Sequence, residues 1–131
     1  MTAARLSEAR VLLVEDEDAA RLVLGKLLGY DVKRVEVTGN GAKALERVRE
    51  DPPDVVVTGL PAPPLEGLAF VQELHDHNPD LPVVVVTAFG DLSSSQEAKR
   101  AGAEAVITKP VDYDALLMVI EHALERRQAH H

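Results

Sequence analysis

Five times along this chain a short apolar run gives way to a segment with helical spacing, and that alternation limits the fold more than any other feature. Arg10-Val11-Leu12-Leu13-Val14 is nearly continuous in apolar residues, as a strand of a sheet covered on both faces must be. Residues 18–28 then carry Ala19, Leu22, Val23 and Leu27 at helical spacing. Residues 32–37 alternate apolar and polar, which predicts a strand nearer an edge. Asn40 is the expected N-cap of a helix through Ala42, Ala44, Leu45 and Val48, stopped by Pro52-Pro53. Val55-Val56-Val57 is the third strand, and Leu68, Phe70, Val71 and Leu74 mark the helix over 65–75. Four consecutive valines within 81–87 make the most strand-like segment. A more polar helix over 91–101, a strand at Ala105-Val106-Ile107, and a helix capped by Asp112 and carrying Ala115, Leu116, Val119, Ile120 and Leu124 complete the series. Five β-α units with short connections predict a parallel sheet with right-handed crossovers and helices on both faces.

Composition narrows the function classes. The 131 residues suit one domain, with a core over about 9–125 and a polar tail, 126–131, expected to fray. There is no Cys, which excludes disulfides, a Cys-ligated zinc and a thiol nucleophile. The formal charge of −8 disfavours nucleic-acid binding. No apolar run approaches the ~20 residues of a membrane span, and residues 1–10 lack a signal-peptide pattern, so the expected setting is cytoplasmic.

In an open α/β sheet, ligands sit outside the carboxyl ends of the strands. There the sequence places Glu15, Asp16, Glu17 and Asp18 after strand one, Gly59 after strand three, Thr87 and Ala88 after strand four, and Lys109 and Pro110 after strand five. Carboxylates, a hydroxyl and an ammonium on one edge suit a phosphoryl group and magnesium. An obvious acceptor for that phosphoryl group is missing.

Three segments resemble the receiver domain of two-component response regulators: Val11 to Asp16, Val83 to Ala88, and Thr108-Lys109-Pro110. Asn40-Gly41 with Ala44-Leu45, Pro53-Asp54 and Glu66-Gly67 extend the match over residues 9–125. The resemblance implies a flavodoxin-like, doubly wound (βα)5 three-layer sandwich with strand order 2-1-3-4-5. It also implies an aspartyl phosphate taken from a phosphohistidine kinase, with magnesium bound. By the same resemblance Glu15 and Asp16 match the metal-holding acids. Thr87 matches the switch hydroxyl, and Lys109, followed by Pro110 with an often cis bond, matches the active-site Lys. Asp16 is the expected partner of Lys109.

The departure lies at the centre. With Pro63 and Gly67 in register, Gly59 stands at the phosphoacceptor position, and Asp54 lies at the opposite end of the strand. Val106 stands where many members carry an aromatic switch residue, and Pro61 and Pro64 stiffen the loop. The expected function is therefore that of a pseudo-receiver: not an enzyme, with no cofactor or only weakly bound magnesium, acting through protein partners. A histidine kinase, an output domain, another receiver or a second copy fits that role. The expected contact face is the fourth helix, fifth strand and fifth helix, with Phe89, Lys99, Arg100, Glu104 and Tyr113. Two alternatives stand behind it: a variant or engineered form of a phosphorylatable receiver, and a small nucleotide- or flavin-binding enzyme. The latter lacks a Gly-rich phosphate loop after strand one. The five histidines form no metal set, His75 and His77 reading as helix-end cations.

Overall fold

The computed structural model describes residues 5–59, 67–88 and 92–129. Pro61, Pro63, Pro64, Glu66 and Phe89 lie outside these. A 3-10 turn, Leu6–Glu8, leads into β1 (Arg10–Val14), α1 (Asp18–Asp31), β2 (Arg34–Thr38), α2 (Gly41–Glu50) and β3 (Val55–Gly59). Then follow α3 (Gly67–His77), β4 (Val83–Thr87), α4 (Leu92–Ala101), β5 (Ala105–Thr108) and α5 (Tyr113–Ala129). The sheet is parallel throughout, in the order β2-β1-β3-β4-β5.

The continuous apolar runs are explained by burial on both faces. Val83 and Val85 join Leu12, Val14 and Val56 under α2, α3 and α4, where Leu45, Val48, Phe70, Val71 and Leu74 cover them. Val84 and Val86 join Val11, Leu13, Val55 and Val57 under α1 and α5, where Leu24, Leu28, Leu116, Ile120 and Leu124 close the layer. Each fully buried Val, Leu or Phe contributes ~1.5–3 kcal/mol from lost apolar surface, so the two layers carry most of the stability. At the sheet edge β2 is only partly covered, which its alternating sequence anticipates.

The caps behave as expected. Asn40 Oδ1 accepts from the Lys43 N–H at 2.9 Å, and Asp112 Oδ1 accepts from the Ala115 N–H at 3.2 Å. Two expectations are corrected. In α1 the buried residues are Leu24 and Leu28, not the stripe of Ala19, Leu22, Val23 and Leu27; Leu22 is 63 % exposed. The cause is close packing, because Gly25 lets the helix settle on β2, where a Cβ would stand 3.1 Å from Val37 Cγ1. The described part of the tail is corrected too: α5 runs on to Ala129, held by bonds from Arg126 and Arg127, and residues 130–131 lie outside the described residues.

Candidate functional site

The carboxyl ends of β1, β3, β4 and β5 bring Glu15, Gly59, Thr87 and Lys109 to one edge. Register fixes their level: Val14 lies beside Thr58, Gly59 beside Val86, and Thr87 beside Thr108. The Lys109 N–H donates to the Thr87 carbonyl at 2.7 Å, carrying the pairing one step beyond β5. The Lys109–Pro110 bond is cis. Thr87 is buried at the end of β4.

Glu15 and Asp16 take different roles. The Glu15 N–H donates to the Thr38 carbonyl at 2.9 Å, so residue 15 still follows the sheet. Its side chain turns inward and is 2 % exposed, whereas Asp16 lies in solvent. Lys109 Nζ donates to Glu15 Oε1 at 3.0 Å, and the Glu17 N–H donates to Glu15 Oε2 at 3.2 Å. The partner of Lys109 is therefore Glu15 and not Asp16, because the inward carboxylate is the one within reach.

Gly59 explains how a Glu carboxylate fits there. A Cβ on Gly59 would stand 2.8 Å from Glu15 Oε1 and 3.0 Å from both Oε2 and Cδ. The carboxylate thus fills the space that a side chain at 59 would need. Position 59 carries no carboxylate, and both oxygens of the buried Glu15 are engaged. Magnesium asks for several oxygen ligands and dehydrates reluctantly. The described residues in this arrangement do not fit it, and among them no group of three or more His, Asp or Glu could hold a metal.

Sequence reasoning missed Arg21. Its Nη1 donates to the Glu15 carbonyl at 2.9 Å and its Nη2 pairs with Asp18 Oδ1 at 2.6 Å, bracing the acidic loop from the first turns of α1. A basic residue one turn after an acidic helix start was the available signal.

The expected contact face is only partly free. Lys99 and Arg100 are exposed in the last turn of α4. Glu104 accepts from Arg126, and the Tyr113 hydroxyl donates to Asp31 Oδ2 at 2.7 Å, tying α5 to the end of α1. Partial burial, that hydrogen bond and the Asp31 and Asp114 charges push the Tyr113 hydroxyl above the ordinary tyrosine range. On another face, Leu22, Val23 and Tyr30 of α1 and Val37 of β2 are large exposed apolar side chains.

The opposite end of the strands is held by a spread of charges. Asp54 Oδ2 accepts from the Arg10 N–H at 2.8 Å, and Arg10 Nη2 pairs with Asp51 at 2.6 Å. Arg127 Nη1 donates to the Asp54 carbonyl at 3.0 Å and the Pro53 carbonyl at 3.4 Å, while its Nε is buried without a partner.

Comparison with known proteins bears on the fold and the family. The chain is 31 % identical over 116 residues to the regulatory protein AtoC of Escherichia coli, covering 88 % of this chain and 25 % of that protein. It is 35 % identical over 117 residues to the response regulator MprA of Mycobacterium leprae, covering 89 % of this chain and 51 % of the relative. The chain thus spans between a quarter and about half of these two relatives. A response regulator receiver domain protein from Clostridium thermocellum superposes with a TM-score of 0.85 at 27 % identity, over 94 % of this chain and 99 % of that one. Among the described residues no helix is long and apolar enough to cross a membrane. The family model of the response regulator receiver domain matches residues 11–121, and with the sheet order and the carboxyl-edge residues in place the chain belongs to that family of signalling domains.

Proposed function

We propose that this receiver domain is a pseudo-receiver, a module of two-component signalling that acts by binding protein partners without forming an aspartyl phosphate. One observation carries the proposal: the volume above Gly59 is filled by the Glu15 carboxylate, which is already paired with Lys109. A phosphoryl donor therefore meets no acceptor at position 59, and Glu15 is too buried to serve as one. Asp54 offers no substitute, since it lies at the other end of β3 and accepts from the Arg10 backbone.

The partner is a histidine kinase, an output domain or another receiver, met through α4, β5 and α5. On that face Lys99 and Arg100 supply the charge, because Glu104 and Tyr113 are engaged within the domain. Position 106 is a valine packed on the buried layer, so no aromatic side chain is there to change sides on activation.

Intact-mass measurement after treatment with acetyl phosphate tests the proposal. The expected spectrum is unchanged. A stable gain of ~80 Da, one phosphoryl group, mapped to Glu15, Asp16 or Asp54 would overturn it.

A further inference from the structure

Strand β2 ends the sheet and is paired on its β1 side only. The Arg34 N–H donates to the Ala9 carbonyl at 3.3 Å, and the Thr38 carbonyl accepts from the Glu15 N–H at 2.9 Å. Arg34, Glu36 and Thr38 thus aim their backbone groups at β1, and strand alternation aims those of Val35 and Val37 outward. Two side chains of opposite sign flank this open edge on the α2 face. Arg34 Nη2 lies 3.2 Å from Glu36 Oε1, and Arg47 Nε lies 3.4 Å from Glu36 Oε2. Val35 and Val37 stand on the α1 face, and Val37 is 50 % exposed.

We propose that this edge is where a second copy of the chain pairs, antiparallel, so that the sheet runs on from one copy into the other. Hydrogen bonds form across the joint only where outward-facing residues meet, which limits the two-fold axis to Val35, Glu36 or Val37. Centred on Glu36, that carboxylate would oppose itself, which is destabilising. Centred on Val37, Glu36 would meet Thr38 and neither charge would find its opposite. Centred on Val35, Arg34 of each copy stands opposite Glu36 of the other, in the non-hydrogen-bonded pairs where side chains come closest. In that register Val35 meets Val35, and Val37 lies against the stem of Lys33. Charge on an edge strand ordinarily keeps other chains away. Here the order Arg-Val-Glu is complementary to itself when reversed, which favours a second copy over an unrelated strand. The joint lies away from α4, β5 and α5 and uses none of Glu15, Gly59 or Lys109.

Sedimentation velocity tests this, from ~10 μM to ~1 mM because so small an interface associates weakly. The formal charge of −8 on each copy opposes association. The runs therefore use about 0.15 M salt, where repulsion beyond ~8 Å is screened. The parent is expected to dimerise reversibly. Arg34→Glu and Glu36→Arg should each weaken the dimer about tenfold or more, since like charges then face each other. An equimolar mixture of the two variants should associate again, because an acidic edge then meets a basic one, and the double reversal should dimerise like the parent. Amide exchange at Val35 and Val37 should slow as the parent is concentrated. A parent that stays monomeric, single variants that dimerise like the parent, or a mixture no better than its components would each overturn the joint. Concentration-dependent protection confined to α4, β5 and α5 would overturn it too. If a single reversal does not fold, the double reversal, which keeps the internal Arg34–Glu36 pair, and exchange in the parent decide the matter. A phosphoryl adduct on the parent would bear on the proposed function alone.

Discussion

The two ends of this sheet solve the same electrostatic problem in opposite ways. At the carboxyl edge one buried carboxylate faces one ammonium, Glu15 and Lys109, with 2 % and 29 % of their side chains exposed. At the amino end, Arg10, Asp51, Asp54, Glu104, Arg126 and Arg127 share several partly exposed contacts, some to backbone carbonyls. A concentrated pair depends wholly on each partner, because a buried charge left alone has no water to replace the lost contact. A distributed set loses one strand of several. The difference predicts that single substitutions cost more at the carboxyl edge than at the amino end.

The largest effect should come from Lys109→Met, which leaves Glu15 buried without its cation. A loss of about 3 kcal/mol is expected in urea denaturation. Arg127→Met at the other end should cost less, ~1–2 kcal/mol, since it removes two carbonyl bonds and a long ion pair but also relieves a buried, unpartnered Nε. If the two losses are equal, the contrast between the ends is wrong.

Tyr113→Phe sharpens the comparison by titration. At neutral pH the lost bond to Asp31 should cost ~1 kcal/mol. The folded Tyr113 pKa is raised, so the stability it contributes is complete below the unfolded value of ~10 and is lost as pH rises through the folded value. The gap between parent and variant should therefore narrow above pH ~10 in urea titrations. A gap that widens there contradicts the placement of the phenol beside Asp31. The smallest effect belongs to Asp51→Asn, whose bond to Arg10 is largely solvated; a change within about 0.5 kcal/mol is expected, and a larger one would mean that the amino end is not distributed after all.

How much of this was legible depended on whether the deciding interaction was local. β1 was read at its observed bounds because both faces are buried and its apolar run is unbroken. The Asn40 and Asp112 caps were read because capping needs only residues three apart. The placement of Glu15, Gly59, Thr87 and Lys109 on one edge followed from the order of strands. The choice between Glu15 and Asp16 for Lys109 did not, since it depends on which carboxylate turns inward over a glycine 44 positions away. The buried face of α1 was missed for a related reason: Leu22 and Leu24 look alike in sequence, and the close approach at Gly25 decides which of them meets the sheet. The ordered end of α5 was hidden because its acceptors, the Pro53 and Asp54 carbonyls, lie more than 70 residues earlier.

Helix α5 is pinned close to both of its ends, by Tyr113 to α1 and by Arg127 to the start of β3. Its 17 residues make a rod of roughly 25 Å at the usual rise per residue. Held at two well-separated points, such a rod has no free pivot, so its direction is set by the sheet. A fluorophore placed near Ala129 would therefore report the orientation of the whole β-layer as the hand of a dial does.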